Sequence, residues 1–341
     1  GDGTFINGYY DGTNEYSILY FTNSNQREMF YVDTDPQWIN RGAPAACNQM
    51  FNLINWNQDF AEEIWLREGM AAFSQYVAGY PLATGVINFP LMNNLTNWGD
   101  YNRNIERLYS FLLILYLHEQ VFPDTMLDGQ VVHRIAEVAL SPYRGVAGLG
   151  RLLYETLFDS VTYDNVDYTE TFASLFRDFI LAGSLDISDS TFAENGKYGF
   201  KAINCRISAS SYNWYWTPTT SPPFKWQLPF WSARAVQIVD TLFFNNAHPI
   251  RSLLVNGDDR NVLDFKLLFS SSGNFEPEMS KNLVSIVPIP TDNPKQKGRV
   301  DLPPNLQLGN GGTPPNILRL ITVCTSDSGQ EISCFVLEDD T

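Results

Sequence analysis

Apolar residues recur along the chain in two rhythms, and the switches between them divide it. Through residues 1–35 the rhythm is that of strands. Tyr16-Ser17-Ile18-Leu19-Tyr20-Phe21 and Met29-Phe30-Tyr31-Val32 are aromatic and β-branched runs, the second closed by Asp33-Thr34-Asp35-Pro36. From Ala45 the spacing changes to three and four: Met50, Phe51, Leu53 and Ile54, then Ile64, Trp65, Met70, Phe73 and Val77, predict helices over 44–57 and 62–78. Four more helical patterns follow at 104–121, 128–141, 146–157 and 169–182, the first of them apolar nearly all round, as in a helix at the middle of a domain. Residues 184–230 are irregular and rich in Trp, Tyr, Ser and Pro. From Trp231 the rhythm is again that of strands, at 235–239, 262–268, 283–287, 317–323 and 332–337, with 289–316 reading as long Pro- and Gly-rich loops. The order predicts an α+β chain. A first domain at 1–183 combines a β segment (1–35) with helices (44–182), 184–230 is a connector, and 231–341 is a β-rich, sandwich-like domain.

Composition narrows the function classes. At 341 residues there is room for two domains, and 44% apolar residues supply cores for both. A net charge of −16 excludes a nucleic-acid partner, which needs a basic face to displace counterions from phosphate. No apolar run reaches the ~20 residues that cross a bilayer, which leaves room for a lipid anchor upstream of Gly1. The weakly charged surface, with 18% charged residues, fits an extracellular or cell-surface location. Cysteines add to that expectation. Cys324 and Cys334 flank the turn-rich stretch 325–330 between two strand patterns, an arrangement that favours a disulfide across a hairpin. Cys47 and Cys205 are either a second pair or core thiols.

The chemistry is concentrated in two neighbouring stretches. Asn48-Gln49-Met50-Phe51-Asn52 runs into Leu53-Ile54-Asn55-Trp56-Asn57, and Glu63-Ile64-Trp65-Leu66-Arg67-Glu68-Gly69-Met70-Ala71 follows. Upstream stands Ser24-Asn25-Gln26-Arg27-Glu28-Met29-Phe30-Tyr31-Val32-Asp33. In this order the three stretches resemble the hyicolysin-type zinc metallopeptidases, a gluzincin family, over residues 3–80. In that family a His-Glu-x-x-His helix runs into an Ile-Asn-Trp/Phe-Asn stretch, and a Trp-Leu-x-Glu-Gly element opens the next helix. The i, i+4 histidines grip zinc on one helix face while the Glu deprotonates the attacking water. The resemblance implies a zincin-like domain and places Asn48 and Asn52 at the two imidazole positions. It likewise places Gln49 at the general base and Glu68 at the third ligand.

Those substitutions remove the reaction. Amide oxygens are poor zinc ligands, and a Gln side chain has no titratable group to act as base. Three required positions within one helical turn carry uncharged residues of near-equal size. Replacement of that kind points to a scaffold kept after its chemistry was lost. The three histidines, His118, His133 and His248, offer no pair at ligand spacing: His118-Glu119 is followed at 122 by Phe. No metal and no cofactor is therefore expected. Glu62, Glu63 and Glu68 read as favourable charge at a helix start. Trp214, Tyr215, Trp216, Trp226 and Trp231 read as packing residues, or alternatively as a binding platform for peptide or glycan. The expectation is a catalytically inactive metallopeptidase-like protein acting as a binding or structural subunit. Its partner is a protein or peptide ligand, or further copies of the chain in a surface layer or filament. The competing expectation is an active zinc endopeptidase with an unusual metal site.

Overall fold

The computed structural model describes residues 8–32, 38–80, 86–89, 94–98, 103–158, 166–186, 196–206, 215–216, 224–238, 250–257, 263–270, 284–288, 298–301, 317–325 and 330–338. Helices and strands mix as an α+β chain. The chain divides into two compact units, Gly1–Thr84 with Trp98–Ser174, and Gly85–Asn97 with Leu175–Thr341. The division thus falls within a helix and hands residues 85–97 to the second unit, where the sequence pattern puts a boundary at 183.

In the first unit, β1 (Gly8–Tyr10) and β2 (Phe30–Val32) pair antiparallel. Tyr9 stacks on its cross-strand partner Tyr31 with ring centroids 4.5 Å apart. Helix α1 (Trp38–Asp59) begins upstream of the expected start and carries Pro44 inside it. Helices α2 (Ile64–Val77) and α3 (Arg103–Gln120) follow the apolar periodicity closely. Gly69 sets how near α2 comes to α3, because a Cβ there would meet the Ser110 backbone oxygen at 3.0 Å and Ile114 Cγ1 at 3.1 Å. Around that contact lie the fully buried Trp65, Tyr109, Leu112 and Leu113. Helix α5 (Gly145–Phe158) occupies the place expected for a helix at 146–157.

Two local expectations fail. Residues 16–21 form turns rather than a strand. Ser24 Oγ donates to the Asn14 and Tyr16 carbonyls, and Gln26 Oε1 accepts from the Ile18 amide, so side chains take up the backbone groups a ladder would use. The helix expected at 128–141 is replaced by the hairpin β4 (Thr125–Leu127) and β5 (Gln130–Val132), then the short α4 (Ala136–Leu140). The cause is Asp128-Gly129, with φ of 51° and 78°. Two left-handed residues in a two-residue loop are what a tight hairpin requires.

In the second unit, α6 (Tyr168–Leu185) supplies Phe176 and Phe179, which lie against Trp231 and Phe89 at ring-centroid distances of 5.6 and 5.1 Å. Burial of Trp231 agrees with its reading as a packing residue. Asp186 closes α6 by accepting from the amides of Phe200 and Cys205. Strands β3 (Val86–Asn88) and β6 (Asn204–Arg206) pair parallel.

Two larger sheets follow. One orders β13 (Gly298–Asp301), β10 (Ile250–Gly257), β15 (Gln330–Glu338) and β8 (Phe224–Leu228). The other orders β12 (Val284–Pro288), β11 (Leu263–Ser270), β14 (Ile317–Cys324), β9 (Ser232–Ile238) and β7 (Tyr215–Trp216). Segments read as irregular or as loops therefore hold β6, β7, β8 and β13. The strands that carry Cys324 and Cys334, β14 and β15, lie in different sheets and are not paired with each other as a hairpin. Trp214 and His248 lie outside the described residues, as do the side chains of Tyr215, Trp216 and Trp226.

Candidate functional site

Asn48, Gln49 and Asn52 share one side of α1, because Asn52 stands four residues from Asn48 and three from Gln49. Glu68 comes to the same place from the first turns of α2. All four line one cavity of about 530 Å³, bounded also by Gly8, Tyr10 and Arg107. Position over the cavity is set by the Ile54-Asn55-Trp56-Asn57 stretch. Trp56 meets the Tyr10 ring edge-on at 6.1 Å and so helps hold β1 above α1. Gln49 Nε2 donates to the Gly8 carbonyl at 3.3 Å, tying the middle of the helix to the strand.

The three amides bond chiefly to one another. Gln49 Nε2 donates to Asn48 Oδ1 at 3.0 Å, and Asn52 Nδ2 donates to Gln49 Oε1 at 3.2 Å and to Asn48 Oδ1 at 3.4 Å. This network occupies one side of α1, facing the cavity. It is incomplete: Asn48 Nδ2 and Asn52 Oδ1 are shielded from solvent and have no hydrogen-bond partner. Each such atom costs about 1–3 kcal/mol. Packing alone would favour apolar residues here, so the amides are retained against a local stability cost.

Glu68 does not stand as a free ligand. Arg107 Nε from α3 lies 3.6 Å from its Oε2, with both side chains partly exposed. The guanidinium supplies the positive charge that a metal would bring, and it comes from a helix that the sequence reading did not connect to the site. Among the described residues, no group of three or more His, Cys, Asp or Glu side chains is spaced to hold a metal ion.

The acidic residues after α1 have a structural task. Glu62 Oε1 accepts from the Glu63 amide at 2.6 Å and from the Gly145 amide at 3.0 Å, closing the N-terminus of α5. Burial raises its pKa above the usual carboxylate range. Glu63 Oε2 accepts from the Trp65 indole at 2.5 Å, which steadies the start of α2.

Asp59 accepts from Arg144 Nε at 2.7 Å, and this bond holds its pKa below the ordinary 3.8. A carboxyl depressed in the folded state stabilises the fold above its unfolded value, and that stability is lost as pH falls through the folded value. Glu62 acts in the opposite sense, since its raised pKa makes its charged form costly as pH rises past the unfolded value. Thermal melts below pH 4 should therefore show a shallower acid decline in Asp59→Asn than in wild type, from a lower starting stability at pH 7. An unchanged acid limb would remove Asp59 from this role.

Comparison with protein-family profiles and with curated proteins finds no match for the chain. Cys205 is buried, which raises its thiol pKa, and Cys324 is buried too, while Cys47 is half-buried on α1.

Proposed function

We propose that this chain is a catalytically inactive metallopeptidase of the gluzincin type that binds an extended protein or peptide segment without cutting it. The observation that carries the reading is the convergence of Asn48, Gln49, Asn52 and Glu68 on one cavity, with the amides bonded to one another and the carboxylate beside Arg107. The zincin-like fold of the first unit and a sandwich arrangement of the two larger sheets belong to the same proposal. So do an extracellular or cell-surface location, a bridge linking the Cys324 and Cys334 strands, and use as a surface-assembly subunit.

A peptide ligand is favoured over a small molecule because the cavity has a strand along one side. β1 lines it through Gly8, Tyr9 and Tyr10, and among the described residues β1 pairs only with β2. A strand edge offers backbone groups to an extended peptide, while the cavity takes an alternate side chain.

The test is a mixture of random peptides passed over the immobilised full chain, with bound and unbound fractions weighed by mass spectrometry. A retained subset of unchanged mass is expected, displaced when Asn52→Trp fills the cavity. Cleavage products would contradict the inert reading, and equal retention by the filled variant would contradict the cavity as the binding place.

A further inference from the structure

An apolar tip projects from the first unit, where Ile18-Leu19-Tyr20-Phe21 form the outer turns of a loop. Leu19 and Tyr20 are 87% and 82% exposed, and Tyr16, Ile18 and Phe21 are exposed as well. Side chains this exposed stand out from the surface rather than line a groove. Apolar residues scattered singly over a surface are ordinary, whereas a run of neighbours makes a patch with a use. No charged residue occurs from Tyr16 to Gln26, and Glu15, Arg27 and Glu28 stand only at the foot of the loop.

The loop holds its own shape. At the foot the Arg27 amide donates to the Asn14 carbonyl at 2.8 Å, and buried Ser24 turns its hydroxyl to the Asn14 and Tyr16 carbonyls. Asn25 Nδ2 donates to the Tyr31 hydroxyl at 2.7 Å and so ties the foot to β2. At the tip four successive amides are paired within the loop. Ile18 donates to Gln26 Oε1 and Leu19 to Ser17 Oγ, both at 3.2 Å, while Tyr20 and Phe21 donate to the Ser17 carbonyl at 2.9 and 3.1 Å. Tyr16 stacks on Phe21 with ring centroids 5.2 Å apart. The apolar side chains thus sit on backbone N–H groups that need no water, which lowers the cost of moving the tip out of it.

We propose that residues 16–21 form a membrane-contact loop whose tip enters the headgroup and upper acyl region of a neutral, zwitterionic bilayer. Tyr and Phe beside Leu and Ile are the mixture that partitions to that level, with rings and alkyl groups among the chains and hydroxyls at the headgroups. The charge pattern selects the lipid. A chain of net charge −16 is repelled by an anionic surface, and the uncharged loop brings no cation to offset that. A lipid surface suits the tip better than a protein partner does. It yields to projecting side chains, and it asks for none of the charged residues that rim a protein interface.

Flotation of the full chain with phosphatidylcholine vesicles tests this. A single acyl chain half-binds a protein at about 0.1 mM lipid, and the tip, with less apolar area, is expected to do so by about 1 mM. Leu19→Ser combined with Tyr20→Ser should weaken binding at least about tenfold. Both side chains are exposed, so the double variant should melt with wild type. Leu19→Trp should bind as wild type does and gain fluorescence quenching from lipid brominated in its acyl chains. Raising salt from about 0.1 to 0.5 M should leave binding unchanged, since the loop has no charge to screen, and added phosphatidylserine should weaken it. No flotation of wild type, equal flotation of the double variant, or no added quenching in Leu19→Trp would overturn the loop. Flotation that requires phosphatidylserine and falls with salt would overturn it too, by placing the contact on a basic surface. So would self-association on sizing, lost in the double variant, by a wild type that ignores vesicles, because the tip would then meet a second copy of the chain.

Discussion

The triple variant Asn48→His, Gln49→Glu, Asn52→His is expected to bind one Zn²⁺ in the cleft, with a dissociation constant below about 1 µM, or roughly −8 kcal/mol. The two imidazoles would stand at i and i+4 on α1, and the cavity of about 530 Å³ gives them room. Glu68 already lines the same space and supplies the third ligand. Its ion pair with Arg107 opposes the metal, because the guanidinium holds the carboxylate at 3.6 Å. Partly exposed pairs are worth up to about 1 kcal/mol, so adding Arg107→Gln should tighten zinc about fivefold. A triple variant that folds and takes up no zinc would show that α1 and α2 do not present these positions as a zincin does.

Trp65→Ala is expected to cost about 3–5 kcal/mol, the largest effect of a single truncation in the helical body. Trp65 is fully buried on α2, 6.1 Å from the Phe172 ring of α6. Its loss opens a void that Leu66 and Met70 on the same helix cannot fill. It also leaves Glu63 without its indole donor at the start of α2. The transition of the first unit should fall by on the order of 10 °C. Hydrogen exchange should show α2 opening first, since the void lies on its inner face. A loss under about 1 kcal/mol would mean that Trp65 does not anchor α2 in the core.

Much of this was readable where one face of an element is buried. The 3.6-residue rhythm of Met70, Phe73 and their neighbours located α2, and the apolar run 111–117 located α3, because burial enforces the period. The β-branched runs of β9, β11, β12, β14 and β15 were legible as strand patterns in the sequence. Residues 16–21 show the opposite case. Leu19 and Tyr20 are 87% and 82% exposed, so their apolar character carries no packing signal, and local side-chain bonds decide the conformation.

At 128–141 the Asp128-Gly129 pair was the available sign of a hairpin, outweighed in the reading by the apolar spacing around it. The same oversight hid the meeting of Asp124 with His133, which follows once the hairpin register is known. Convergence of Glu68 with Asn48 and Asn52 was anticipated from motif order. The role of Arg107 was not, because nothing in the spacing of α3 links it to a residue on α2.

The most direct test of the central claim is hydrolysis of a quenched fluorescent casein by the full chain, with excess Zn²⁺ and with and without chelator. The account predicts no hydrolysis above buffer in either condition, because Gln49 has no proton to exchange near neutral pH and the amides do not hold the metal. Hydrolysis that appears with Zn²⁺, disappears with chelator and is lost in Glu68→Ala would contradict it.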